Sequence, residues 1–436
     1  MRQPRLSKDV IWRKENGCLF ILDPTSRSAR FYGAAASALV DQGGTIRSGK
    51  RSKALVADLL ALNVLEQCRP EDGEHAASSA CTPPPAADAR GPSFTAPLNV
   101  TIQVTNACNL RCGHCHNPNA GSTHMGFDDF AKIVTELRAM RVLNINLSGG
   151  EAMLNRRIYD MIALVTSLGM KVTMSTNCTF MDADKATALR AAGLRQAHVS
   201  LDSHDSASHD AMRGRVGAFA KMKTNLRFLS DTGIQYTLVT TLRGQSVEEY
   251  GATIDMAFSL GASAHKTNTV VPQGRGHSLA IPGSRLMQHY ITEFRRKRSE
   301  YQGRMGLLAE TMFALQMRPH GGENVPPALD VGCPAGILTC GINQRGDVIP
   351  CSFFTELIAG NAVRDGFREI WEHSPLFNEL RQRDQDETCS RCHFSSTCGG
   401  CRARSYGMYG ELHRTDPLCS VSSSHKETAP EQAVTR

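Results

Sequence analysis

A chain of 436 residues with 41% hydrophobic side chains can bury a large core and form two or three domains. Its most apolar run, Ala54 to Leu65, contains Asp58 and Asn63 and is too short to cross a bilayer, and no apolar signal region opens the chain; the expectation is a cytoplasmic protein with no membrane partner. The 15 cysteines then argue for metal ligation rather than disulfides, and the net charge of +7 is concentrated in residues 1–69, with 12 Lys and Arg against 6 Asp and Glu, which suggests an acidic partner there, peptide or nucleic acid.

Residues 1–69 read as a small α+β domain. Val10–Lys14, Cys18–Leu22 and Ala29–Tyr32 are short strand patterns separated by Asn16-Gly17 and Asp23-Pro24 turns, and Ala34–Val40 and Lys53–Leu65 have helical patterns. Three strands followed by helices resemble the winged-helix-like precursor-recognition domain of peptide-modifying enzymes, which is similar to the peptide chaperone of pyrroloquinoline quinone biosynthesis. The resemblance implies a precursor peptide added as a strand to a sheet edge. An accessory or DNA-binding winged helix is the plainer alternative. Residues 70–97 are rich in Pro and Ala and read as a linker that lets the first domain move.

From Leu98 the pattern alternates. Strands are expected at Leu98–Thr105, Val142–Leu147, Lys171–Ser175, Ala197–Leu201, Gln235–Thr241 and His265–Val271. Helices are expected at Asp128–Met140, Arg157–Leu168, Ala183–Ala192, Ala218–Thr232 and Val247–Leu260. Six such units over residues 98–283 predict an α/β fold with a parallel, partly closed (β/α)6 barrel, TIM-like in form.

The first strand runs into Cys108-Asn-Leu-Arg-Cys112-Gly-His-Cys115. Three thiolates so close can reach one metal centre from one loop, and they are one short of a closed zinc or [4Fe–4S] site. A structural zinc knuckle is the competing reading. The spacing, at the C-terminal end of a barrel strand, resembles the radical S-adenosylmethionine (SAM) enzymes, whose open cluster iron is chelated by the methionine moiety of SAM. On that resemblance His114 takes the position that packs on adenine, where Tyr or Phe is commoner. Gly149 and Gly150 let the backbone approach a ligand, and Glu151 helps hold the ammonium group. Ser175 and Asn177 suit ribose hydroxyls, Ser200 and Arg213 contact carboxylate and ribose, and Pro272–Gly276 lies near the adenine.

Residues 284–332 read as connecting helices, Ser284–Lys297 and Met305–Gln316. Residues 333–420 carry Cys333, Cys340, Cys351, Cys389, Cys392, Cys398, Cys401 and Cys419, with Gly346–Cys351 reading as a hairpin that ends in a ligand. Two four-thiolate zinc sites fit the number equally well. The order resembles the SPASM domain of radical SAM peptide maturases, which carries two auxiliary [4Fe–4S] clusters. It implies Cys333, Cys340, Cys351 and Cys401 on one, and Cys389, Cys392, Cys398 and Cys419 on the other. The two-residue gap from Cys398 to Cys401 departs from the three also common in that family. Of the remaining cysteines, Cys18 is expected in a buried strand, and Cys178 in the core rather than facing the site. Residues 421–436 read as a disordered tail.

The resemblance implies three [4Fe–4S] clusters and SAM, with an electron donor such as flavodoxin or ferredoxin. The cluster reduces SAM to methionine and a 5′-deoxyadenosyl radical, which takes hydrogen from a ribosomally made precursor peptide; a crosslink or another oxidative change results. The competing readings are a maturase of a folded protein or small molecule, and an iron–sulfur DNA-binding redox sensor. A sensor has no need of Glu151, Ser200 and Arg213 around an open iron, so no nucleic-acid partner is expected.

Overall fold

The computed structural model describes residues 94–117, 121–310, 331–382, 386–392, 394–395 and 398–419. Of the N-terminal region it describes 5–6, 11–15, 18–22, 29–32, 34–40, 46, 55–56, 59 and 65–66. The predicted tail, most of the linker and most of the predicted Lys53–Leu65 helix lie outside the described residues.

Six strands, β6 (Asn99–Gln103), β7 (Asn144–Ser148), β8 (Lys171–Thr176), β9 (Gln196–Ser200), β10 (Gln235–Leu242) and β11 (Ala264–Thr269), stand side by side in chain order, each parallel to the next. The helices between them are α2 (Phe127–Ala139), α3 (Ile158–Ser167), α4 (Ala183–Ala192), α5 (Ser206–Arg213), α6 (Ala218–Asp231) and α7 (Val247–Ser259). The strands alternate. Val100, Ile102, Ile145, Leu147, Val172, Met174, Ala197 and Val199 share one core with Ile133, Leu137, Met161, Val165, Leu189 and Leu226 of the helices. The intervening residues Asn146, Thr173 and Ser175 hydrogen-bond one another on the opposite face, inside the barrel. Burying each large apolar side chain is worth about 1.5–3 kcal/mol, which fixes the register that turns the polar set inward.

The wall is longer than six strands. β12 (Gly306–Ala309) pairs with β11, and β13 (Thr339–Ile342) pairs with β6, both parallel. β14 (Asp347–Ile349) and β15 (Gly360–Asn361) continue the sheet antiparallel. β12 and β13 are not paired with each other among the described residues, so the barrel is partly open. The expected helix over Met305–Gln316 is corrected by β12. The backbone edge of β11 needs partners, and Gly306–Ala309 supplies them, overriding a locally helical pattern. Residues 311–330 lie outside the description. Helix α8 (Ser284–Glu300) forms as expected. The cysteine-rich region adds the short helices α9 (Phe367–His373), α10 (Pro375–Gln382), α11 (Glu387–Ser390) and α12 (Arg402–Tyr409).

The N-terminal strands β2 (Trp12–Glu15), β3 (Cys18–Leu22) and β4 (Ala29–Tyr32) form an antiparallel sheet beside α1 (Ala34–Ser37). A second pair, β1 (Arg5–Leu6) with β5 (Leu65–Glu66), was not anticipated. All five residues of β3 are buried, because its faces belong to two cores. Leu19 and Ile21 pack with Trp12, Val40, Ile46, Leu55 and Leu59. Cys18, Phe20 and Leu22 join Ile11, Phe94 and the barrel core.

The Phe20 and Phe94 rings meet edge to face at 6.0 Å, and Arg13 Nη1 donates to Pro97 O at 3.4 Å. The Arg141 guanidinium lies over Trp12 at 5.0 Å and donates to its carbonyl. The sheet is thus docked on the barrel in this structure. It sits at the N-terminal end of β6, opposite the end that carries Cys108. No helix among the described residues is long and apolar enough to cross a membrane.

Candidate active site

β6 delivers the chain at Val104 into a loop held on three sides. On the first side, Gly150 N donates to Thr105 O and Glu151 N to Ala107 O, both at 2.8 Å. This contact explains the glycine pair. A Cβ on Gly149, whose φ is +145°, would overlap Thr105 O, and one on Gly150 would overlap Ala107 O. These glycines admit the backbone of the cysteine loop. A Gly150→Ala variant is expected to displace the loop, and iron at this site should fall well below stoichiometric while the fold, by circular dichroism, persists.

On the second side, Arg111 N donates to Arg213 O at 3.2 Å and Gly113 N to Met212 O at 2.8 Å. On the third, the 3₁₀ turn Gly274–Ser278 closes in: Arg275 N donates to Cys115 O and Arg275 Nε to Cys112 O. Pro272–Gly276 was expected near adenine; the described contacts place Gly274 against the carbonyls of Cys115 and His116. The three thiols are half-buried and free of disulfides. Burial is the main cause that lifts Cys108 to about 11, and it also raises Cys115. A thiolate there is costly until a cation shares its charge.

Glu151 is fully buried. Its carboxylate accepts from Thr176 Oγ1 at 2.8 Å, Asn177 N at 2.8 Å and Met153 N at 3.3 Å. Burial raises its pKa, and these donors oppose the rise. Asn177 turns its amide to Asn109 Oδ1 at 2.9 Å, tying the third strand's loop to the cysteine loop. Ser175 faces the barrel interior against Asn146, one turn of the strand below Asn177. Ser200 ends β9, half-buried.

Sequence reasoning passed over Asp202, which the structure makes central. It is wholly buried, with Oδ2 2.9 Å from Arg213 Nε and 3.8 Å from His114 Nδ1. Burial pushes this carboxyl up, but Arg213, His114, His209 and Arg243 outweigh that and hold it low. Arg213 in turn sets Nη1 3.7 Å from Cys112 Sγ. His114 is driven down to about 4, chiefly by burial, so its ring is neutral near pH 7. The signal available in the sequence was the Ser200-Leu-Asp202 ending of β9, read for its serine alone. Cys178 is completely buried at φ +60°, with its carbonyl accepting from Asn225; it belongs to the core.

Residues 102–257 match the Radical SAM superfamily, and residues 333–393 match the SPASM iron–sulfur cluster-binding domain. AdoMet-dependent heme synthase of Nitratidesulfovibrio vulgaris is 30% identical over 336 residues, 74% of this chain and 91% of that one. The chain belongs to the radical SAM superfamily. Mycofactocin maturase MftC of Mycobacterium tuberculosis is likewise 30% identical, over 78% of this chain and 87% of its own. The crystal structure of Streptococcus suis SuiB bound to precursor peptide SuiA superposes with a TM-score of 0.73 at 15% identity, covering 96% of this chain and all of that one. The likeness is one of fold, and its coverage is too complete to leave out the N-terminal sheet.

As a radical SAM enzyme the chain takes a [4Fe–4S] cluster and SAM, and its SPASM domain takes further iron–sulfur clusters. Among the described residues no three His, Cys, Asp or Glu side chains close on a point that a single metal ion could fill. The fit to a cluster is one of donor chemistry: three thiols free of disulfides on one clamped loop, beside a buried arginine.

In the SPASM region the hairpin β13–β14 forms as expected, turning at Gly346 with φ +83° and leading to Cys351. Burial pushes the Cys351 thiol up to about 12, with Cys333 adding to it, and the Cys401 thiol also feels Cys333. Burial lifts Cys398 to about 11, with Cys419 and Cys389 among its charged neighbours. These neighbours sort as two interleaved groups. Cys340 sits on β13 in the hydrophobic core with Arg381 as its charged neighbour, and Cys392 is half-buried one turn after Cys389. Cys333 N donates to Cys398 O, joining the two arms of the region.

Proposed function

We propose that this radical SAM enzyme modifies a ribosomally synthesised precursor peptide in the cytoplasm, installing a crosslink or another oxidative change, with electrons from a donor such as flavodoxin or ferredoxin. When bound, cluster and SAM together supply a 5′-deoxyadenosyl radical able to take hydrogen from an unactivated carbon. In this reading Cys108, Cys112 and Cys115 hold the catalytic cluster. Glu151 orients the ammonium group of SAM, and Arg213, braced by Asp202, meets its carboxylate. His114, neutral and flat, lies against the adenine; Ser175, Asn177 and Ser200 line the ribose side. Cys333, Cys340, Cys351 and Cys401 hold one auxiliary cluster, and Cys389, Cys392, Cys398 and Cys419 the other.

The observation that carries the substrate class is the N-terminal three-stranded sheet docked on the barrel. A catalytic barrel has no need of it for SAM chemistry. An antiparallel sheet with an edge is a surface on which an extended peptide gains backbone hydrogen bonds. MftC and the peptide-bound SuiB structure support the same class. A small-molecule substrate is the second reading, favoured by the heme synthase relative.

The test uses the full chain and the peptide encoded by a short neighbouring reading frame, scored by mass spectrometry. Removing the peptide's leader is expected to raise the concentration for half-maximal modification at least about tenfold, because docking and not chemistry is lost. Equal modification of full-length and leaderless peptides at submicromolar concentration would refute the docking role.

A further inference from the structure

The barrel interior holds a cationic group that the chemistry above does not use. Lys171 opens β8, His198 lies in the middle of β9 and Lys266 in β11. All three alternate with residues that pack on the helices: Val172, Val199 and His265 are at most 5% exposed on the other side. Their own side therefore faces the lumen. Register agrees, with Ser175 opposite His198 and Asn144 opposite Lys171.

The site is built rather than incidental. His198 Nδ1 and Asn144 Oδ1 are buried without a hydrogen-bond partner. Neither lysine makes a hydrogen bond or ion pair among the described residues. The carboxylate nearest in charge to Lys266 is Glu310, and that group is already taken by Arg404 at 2.8 Å and by Thr269. Burial lowers Lys171 and Lys266, and burial followed by the two lysines drives His198 down to about 4. All three side chains are half-buried, and leaving the His198 nitrogen without a partner beside two unpaired ammonium groups costs stability that a bound anion would recover. Opposite Lys266 on β12 stands Leu308, an apolar side chain 47% exposed.

We propose that Lys171, His198 and Lys266 form a carboxylate-recognition subsite, so that the substrate enters the barrel with a carboxylate held in the lumen, on the foot side of the end that carries Cys108. Resting on the peptide reading, this makes the modified segment acidic: an Asp or Glu side chain or the peptide's C-terminus. Lys266 and Lys171 supply the charge, and His198 supplies a ring nitrogen for one carboxylate oxygen. Asn144 takes any hydroxyl or amide that accompanies it. Asn146, Thr173 and Ser175 satisfy one another and stay out of the contact. The same chemistry would accept the propionates of a tetrapyrrole, so the source must be distinguished by experiment.

The experiment measures binding to the reconstituted, SAM-loaded full chain by ligand-observed NMR at millimolar probe. The probes are N-acetyl-glutamate methylamide, its glutamine isostere and coproporphyrin III. The glutamate probe is expected to bind at least about tenfold tighter than its amide. Lys266→Met and Lys171→Met should each erase that difference while iron content and SAM affinity hold. Lys266→Gln, which keeps a polar end without the charge, serves if the methionine variant folds poorly, and should do the same. Glutamate and glutamine probes bound alike, or a preference unchanged in both lysine variants, would overturn the subsite. Coproporphyrin bound in preference to the glutamate probe, and lost in the lysine variants, would uphold the subsite and overturn the peptide reading.

Discussion

Changing Cys108, Cys112 and Cys115 together to Ala is expected to abolish reductive SAM cleavage and to lower iron by about 4 of about 12 atoms per chain. The loop should survive the change, because its backbone is held by partners that do not involve sulfur. Arg213 O, Met212 O and the amide of Arg275 clamp it from outside, and Gly150 and Glu151 from the side. The eight SPASM cysteines lie elsewhere in the chain and keep their iron. Anaerobic reconstitution with iron and sulfide analysis reads the first effect, and chromatography of 5′-deoxyadenosine after dithionite reads the second. Persistent 5′-deoxyadenosine in the triple variant would show that the catalytic cluster sits on other residues. An iron plateau near about 4 in the wild type, with zinc in the remainder, would remove the auxiliary clusters from the account.

Arg404→Met is expected to cost about 3–5 kcal/mol, a large share of the stability of an ordinary domain. The side chain has no exposed surface and closes a network that no single element could hold. Nε and Nη2 grip Asp416 as a fork, both at 3.0 Å, and Nη1 reaches Glu310 and Thr269 at the ends of β12 and β11. Asp416 also accepts from Cys401 N at 2.7 Å and Leu418 N at 3.0 Å. Removing the cation leaves the buried Asp416 carboxylate and the partly buried Glu310 carboxylate without their counter-charge and loosens the segments that carry Cys401 and Cys419. Melting temperature should fall by several degrees, and auxiliary iron should fall with it, while iron on the Cys108 loop is retained. Adding Asp416→Asn should restore part of the loss, since one uncompensated charge then disappears. Unchanged melting in the single variant would mean that water already screens this network.

Much of this was legible along the chain. The six barrel strands stand where alternation and β-branched runs place them, and Ala183–Ala192 forms over the predicted residues because Asp182 caps it and Gly193, at φ +112°, ends it. What escaped depends on partners distant in sequence. Leu307 and Leu308 look helical until the edge of β11 is present to recruit them. Gly149 and Gly150 announce a close approach without saying to what. Asp202 becomes important only when β9 and the end of α5 bring it to Arg213. Lys171, His198 and Lys266 are spread over 96 positions, and parallel register alone turns them to one interior face. Five buried residues in a row in β3 suggest a strand between two cores, but the second core, built on Phe94, lies beyond a long Pro/Ala-rich stretch.

The docking of the N-terminal sheet at the foot of β6 turns the barrel into a ruler. The six strands β6–β11 run from 5 to 8 residues, so the wall they form is about 17–27 Å tall at about 3.3 Å per residue. A peptide held on that sheet must climb the full wall before any of its carbons reaches the end where Cys108, Cys112 and Cys115 lie. Extended chain covers the height in no fewer than about five to eight residues. Which residue reacts is then set by its distance from the held segment as well as by its chemistry: residues closer than the wall is tall are spared, whatever their side chain.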